Sequence, residues 1–178
     1  TMTPAATTGL DQTLTASSGT FASTDVGRLI NFSGGYAKII TYTSSTVVKI
    51  DIKSDFSATT ATTDWKLGAF SDTTGHPSCV SFFEQRLVFA GTTNEPQTLY
   101  FSKSGDYTNM TAGTNADDAM IYTIASNQVN VIRYLKAVRT LIIGTTGGEY
   151  TVSADGTDAA VTPTNVTIKR QSSFGSAN

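Results

Sequence analysis

The chain has a single cysteine, Cys79, and a single histidine, His76. One thiol excludes an internal disulfide framework, and one Cys with one His falls short of the ligand set of a structural zinc site. Charge is scarce too: 12 Lys and Arg stand against 14 Asp and Glu, for a formal net charge of -2. With no basic patch, DNA is expected to pass this protein without tight binding. No apolar run approaches the ~20 residues of a membrane helix. The opening Thr1-Met2-Thr3-Pro4 also lacks the basic and then apolar stretch of a secretory leader. No membrane anchor, metal or cofactor is therefore expected.

What is abundant is small, hydroxylated and β-branched: 32 Thr and 18 Ser in 178 residues. That balance favours strands over helices, which draw on Ala, Glu and Lys, and the expected fold class is all-β. The length suits one ordinary domain or two small ones. Residues 1 to 20 read as a polar lead-in with one strand near Leu10 to Thr15 and no core. Val26 to Phe32, a Ser33-Gly34-Gly35 turn and Tyr36 to Tyr42 predict a hairpin. Thr46 to Ile52 predicts a strand with Val48, Ile50 and Ile52 on one face. With Trp65-Lys66-Leu67 these segments form a small antiparallel barrel-like module over 21 to 70, and the boundary is expected between Gly68 and Gly75.

The remainder, 71 to 178, contains a degenerate repeat. Val80 to Thr92 is answered by Ile132 to Thr145 at a spacing of about 52 residues, allowing one insertion. Each copy is an apolar strand, a polar step holding Arg86 or Arg139, a second apolar strand closed by Gly-Thr at Gly91 or Gly144, and a third strand. Such units are the grammar of propeller-like blades, and two of them do not close a ring. Phe82, Leu87, Phe89, Leu141 and Ile143 are expected as strand core, with Trp65 in the same role in the first module. Gly91 and Gly144 are expected at equivalent strand ends or turns, and the two arginines as ties to backbone carbonyls or carboxylates.

Candidates for chemistry read more simply as structure. Asp117-Asp118 follows a Gly-Thr-Asn-Ala loop and reads as a solvated turn. Asp155-Gly156-Thr157-Asp158 lacks the spacing of a calcium loop. Gly144 to Gly148 has no following Lys and precedes a strand, so it is no phosphate loop. His76 and Cys79 lie three residues apart, but a small Cys opening an apolar strand is an ordinary core residue. Tyr100, Phe101, Tyr107, Tyr122 and Tyr134 fill a core or, alternatively, form a sugar-stacking shelf.

From Trp65 to Pro77, through Phe82-Phe83-Glu84-Gln85-Arg86-Leu87-Val88-Phe89-Ala90-Gly91-Thr92 and Glu95-Pro96-Gln97, the chain resembles tail tubular (nozzle) proteins of short-tailed bacteriophages and related prophage structural proteins. Ser102 to Tyr107, Asp117-Asp118-Ala119, Ile124 to Asn127 and Leu141 to Thr145 with Gly148-Glu149 continue the pattern in order, over roughly residues 21 to 175. His76 departs from the aromatic expected before Pro77. The resemblance implies a non-enzymatic virion tail subunit that repeats around the tail axis. Its partners would be copies of itself, tail adaptor and fibre proteins, and passing DNA. It further implies that this sequence is an excerpt of a longer chain. A carbohydrate-binding tail module for host recognition is the alternative.

Overall fold

A computed structural model describes residues 1–126, 128–156 and 159–176. Asn127, within one of the matched motifs, and Thr157-Asp158, within the turn weighed as a calcium loop, lie outside them. The fold is nearly all β, and the chain divides into two compact units, Thr1–Gly75 and His76–Asn178.

The first unit is one six-stranded antiparallel sheet. Its strands are β1 (Met2–Pro4), β2 (Gln12–Ala16), β3 (Leu29–Phe32), β4 (Gly35–Ser44), β5 (Val47–Ser54) and β6 (Trp65–Leu67), in the order β1-β2-β5-β4-β3-β6. Three register shifts between β4 and β5 bend the sheet. Met2 and Thr62 then exchange backbone hydrogen bonds of 2.9 and 3.0 Å, joining the first strand to the segment that enters the last. The result is a curled half-barrel. In the β3–β4 hairpin Ser33 and Gly34 both have positive φ, 44° and 80°, the two-residue turn whose twist matches its strands.

Val48, Ile50 and Ile52 do share the buried face of β5, opposite Leu14, Ile30 and Ile39. Trp65 is half-buried at the margin of this core. The first twenty residues differ from expectation, because Met2, Leu14 and Ala16 are core residues and their segment supplies two strands. Isolated apolar residues among Thr and Ala give little periodic signal, yet closure of the half-barrel needs those side chains.

One buried charge braces this unit. Asp25, at the end of the 3-10 turn Ser23–Asp25, accepts hydrogen bonds from the Ala22 N–H (2.8 Å), the Arg28 guanidinium (2.8 Å) and the Thr73 hydroxyl (3.0 Å). Arg28 Nε donates to the Gly68 carbonyl at 2.7 Å. The chain entering β3 is thereby tied to the chain leaving β6.

The second unit holds two four-stranded antiparallel meanders. The first comprises β7 (Cys79–Phe83), β8 (Arg86–Ala90), β9 (Thr98–Phe101) and β10 (Met120–Thr123); the second comprises β11 (Ile132–Ala137), β12 (Leu141–Thr145), β13 (Gly148–Ser153) and β14 (Thr167–Ser172). One core lies between them: Phe83, Val88, Leu99 and Phe101 from the first, Leu141, Ile143, Tyr150 and Val152 from the second. Two blade-like sheets thus stack through their apolar faces.

Candidate functional site

Strand alternation divides the first meander into two faces. Cys79, Phe83, Val88, Ala90, Leu99, Phe101 and Met120 point into the shared core. The registers Val80↔Phe89, Phe82↔Leu87, Phe89↔Tyr100 and Tyr100↔Ile121 assemble the other face. With Thr98 and Thr123, whose hydroxyls bond each other at 2.8 Å, that outer face is six apolar side chains and two threonines, and carries no charge. Val80 and Phe82 on β7 are 59% and 60% exposed, and Ile121 on β10 is 50% exposed. Tyr107 stands edge-on to Phe82, with ring centroids 5.2 Å apart.

The loop carrying Tyr107 is held from beneath by Arg86. The β7–β8 connection is Glu84-Gln85, with φ of 46° and 57°, a two-residue hairpin turn that returns the chain with Arg86 as the first residue of β8. Arg86 is 2% exposed. Its Nη1 donates to the carbonyls of Ser102 (2.8 Å) and Asp118 (2.7 Å), with a longer bond to Asp117 (3.4 Å), and its Nη2 donates to Ala116 (2.7 Å). A planar guanidinium suits this because its donors diverge at fixed angles toward several acceptors. Burial pushes the guanidinium below its ordinary value, opposed by the charges of Glu84, Asp117 and Asp118. The loop is fastened further by Leu87 N–H to Ser102 Oγ at 2.9 Å and Gly105 N–H to the Gln85 carbonyl at 2.8 Å.

Several expectations are corrected here. Phe82 is exposed, not core, and Leu87 and Phe89 are half-buried on the outer face while Val88 and Ala90 take the core positions. Leu141 and Ile143 are fully buried. The two arginines are not equivalent: Arg86 lies inside a strand, whereas Arg139 is exposed in the β11–β12 turn. Nor are the glycines. Gly91 follows β8 with φ +71°, and an added Cβ would lie 2.6 Å from Ser78 Oγ and 2.9 Å from the Ile132 carbonyl. Gly144 lies within β12 without a positive φ, and its missing side chain is replaced by the Tyr134 ring, 2.0 Å from an added Cβ. Val80, Ile121 and the carbonyls around Arg86 were not singled out from the sequence. The apolar type of Val80 and Ile121 was a signal, but their facing was not.

The remaining candidates disperse. Asp117 is exposed in a turn and pairs with Lys103 at 2.8 Å, a hydrogen bond that holds its carboxyl below the ordinary range; Asp118 lies 3.8 Å from the same ammonium. Cys79 is buried with its thiol 3.7 Å from the Ile132 carbonyl, while His76 is exposed. Of the five tyrosine and phenylalanine rings weighed as a shelf, Tyr100 and Phe101 are buried. Tyr122 is half-buried with its hydroxyl on the Pro163 carbonyl, Tyr107 lies in the β9–β10 loop, and Tyr134 stands on β11 of the other sheet. An open depression of about 740 Å3 beside Phe83 and Ser153 has Glu84 on its wall, already accepting the Val161 N–H at 2.7 Å. Among the described residues no group of three or more His, Cys, Asp or Glu is placed to hold a metal ion, and no helix is long and apolar enough to cross a membrane. No protein-family model matches the chain, and no curated protein matches it.

Proposed function

We propose that the chain is a structural protein of a virus particle, a segment of the tail tube (nozzle) subunit of a short-tailed bacteriophage, and that it carries no catalysis of its own. The observation that carries this reading is the pair of stacked four-stranded meanders, one of them apolar on both faces. Such a sheet is a stacking unit, stable when something covers each side. The ordered motifs from Trp65 to Glu149 supply the particular family, and the net charge of -2 suits a wall along which DNA slides without adhering. Copies of the chain would surround the tail axis, with adaptor and fibre proteins as neighbours. The carbohydrate-binding alternative is supported less, because the rings it needs are split between core and separate faces.

Antibody raised against the purified chain, applied with gold label to virions made by the parent phage, is expected to decorate the tail. Virions whose peptides lack this sequence would overturn the proposal. Filter binding to duplex DNA is expected to retain little at low or moderate salt, and strong salt-sensitive retention would overturn the non-adhering wall.

A further inference from the structure

The strands that end the two meanders differ in how their outer edges are guarded. Beside the start of β10, Ala112 and Gly113 run along Ala119, whose carbonyl accepts the Gly113 N–H at 3.1 Å. β11 carries Arg133, Lys136 and a register shift, and β14 carries Lys169 and Arg170, with a register shift where it pairs β13. Charge, irregular register and a covering segment are the means by which sheet edges avoid pairing with other chains. β7 has none of them: Cys79 to Phe83 is uncharged, free of proline and in unbroken register with β8. Its Val80 and Phe82 are exposed and its Ser81 is half-buried.

The ladder decides which backbone groups of β7 are left over. Leu87 donates its N–H to Ser102 Oγ at 2.9 Å and accepts the Ser102 N–H at 2.8 Å, both on the β9 side. Backbone groups alternate in direction along a strand, so Arg86, Val88 and Ala90 bond toward β7, where Phe83, Ser81 and Cys79 are their partners. The N–H and carbonyl groups of Val80 and Phe82 therefore point away from the sheet. Among the described residues no backbone group pairs with them, and the Phe82 carbonyl meets the adjacent Ser81 hydroxyl at a long 3.5 Å. We propose that this edge joins the same edge of a second copy of the chain, antiparallel about a twofold axis at Ser81. The register selects the occupant. With Ser81 opposite the second copy's Ser81, Val80 of each copy faces Phe82 of the other as a hydrogen-bonded pair, and each pair exchanges both of its bonds. The outward groups of β7 are then satisfied by β7 itself. On the outer face the same register lays Val80 against the second copy's Phe82, a β-branched and aromatic contact of the kind that stabilises antiparallel strands. No charge stands on either strand, and a net charge of -2 sets little long-range repulsion between copies. Each β7 is used up by the pairing, which closes at two copies. So short a strand buries less than the ~800 Å2 per partner of a stable complex, and the association is weak and reversible. Neither the pairing nor its register depends on the tail assignment.

Amide exchange of the 178-residue chain, from roughly micromolar to millimolar concentration, reads the edge directly. The Val80 and Phe82 amides are expected to exchange freely when dilute and to gain protection as concentration rises, while the Ser81 amide, bonded to β8, is protected throughout. Sedimentation velocity over the same range is expected to show a monomer–dimer equilibrium. Val80→Pro removes an outward N–H and none that β8 uses, and is expected to weaken the dimer at least about tenfold. Should that variant fail to fold by circular dichroism, Phe82→Lys, which guards the edge with a charge, is expected to act in the same direction. In a Cys79→Ala background, Ser81→Cys is expected to form a disulfide between copies on mild oxidation, because the Cα atoms of a non-hydrogen-bonded pair lie about 4.5 Å apart. Ile121→Cys on β10 in the same background is expected to form none. Monomer throughout the range, unprotected Val80 and Phe82 amides in the dimer, a dimer indifferent to these variants, or growth beyond two copies would overturn the proposal.

Discussion

The two meanders of the second unit share strand order and a common core, yet they differ on the faces turned away from it. The second meander is apolar inward and polar outward, with Lys136, Glu149, Thr151 and Lys169 on its far side. The first is apolar on both sides. Topology alone does not distinguish them. A sheet with one polar face can end a stack, whereas a sheet with two apolar faces belongs inside one. The difference extends to their arginines and glycines, which align in sequence and do unlike work, and substitutions at these paired positions break or sharpen the comparison.

The largest difference is expected between Arg86 and Arg139. Arg86→Ala removes the donors to the buried Ser102 carbonyl and to the carbonyls of Ala116 and Asp118 and releases the loop that carries Tyr107, at an expected cost of about 3 kcal/mol. Arg86→Lys should recover little of it, since one ammonium does not reach the same diverging acceptors. Arg139→Ala, at an exposed turn, should cost under about 1 kcal/mol. Urea denaturation with two probes, one for each unit, measures both. Equal costs would restore the equivalence suggested by the repeat.

Next come the core positions. Ile143→Ala is expected to cost about 3 kcal/mol and Leu87→Ala about 1, although both occupy the strand that follows the polar step. This is also where the sequence was legible only in part. The β3–β4 hairpin, β5 and three strands of each meander could be read from turn residues and apolar runs, whereas β1, β10 and β14 could not. Alternation in β4 and β5 marked the buried side because their other side is charged or polar. In β7 and β8 every position but Ser81 and Arg86 is apolar, so period-two alternation carries no information about which side faces the core. Phe82 could not be told from Phe83, or Leu87 from Val88. Arg86 and Arg139 were indistinguishable for a related reason. Their burial is decided by the positive φ of Glu84 and Gln85, which places Arg86 in the strand, and neither residue type announces that conformation.

A smaller effect separates the units by pH. Burial alone would raise the Asp25 carboxyl, but the Ala22 N–H, the Arg28 guanidinium and the Thr73 hydroxyl outweigh it and hold the group below its ordinary value. A carboxylate lower in the folded than in the unfolded state stabilises above its unfolded value, and that contribution is lost as pH falls through the folded one. The half-barrel should therefore weaken below about pH 4, and Asp25→Asn should remove this pH dependence while lowering stability at neutral pH. The Arg86 brace keeps its charge throughout that range. Melting the two units separately between pH 6 and pH 2, by probes local to each, would expose a half-barrel indifferent to acid and so refute the assignment.

The finest test concerns Gly91 and Gly144. Alanine at Gly91 is strained twice, by a left-handed backbone and by Ser78 and the Ile132 carbonyl in front of the new Cβ, and a cost of about 2 kcal/mol is expected. At Gly144 the backbone is ordinary and the obstacle is the Tyr134 ring, a half-exposed side chain whose hydroxyl bonds Glu149 at 3.2 Å. That ring can swing into solvent, so Gly144→Ala should cost about 1 kcal/mol, mainly through the packing and hydrogen bond that Tyr134 gives up. The two glycines are separated most cleanly by a second substitution. In a Tyr134→Ser background Gly144→Ala should become nearly neutral, because the space is then empty and alanine is the better strand residue. Gly91→Ala should remain as costly as before, since nothing at Tyr134 relieves a positive φ or a backbone oxygen. A double-mutant cycle with no coupling between positions 134 and 144 would mean that the ring does not rest on Gly144 in solution.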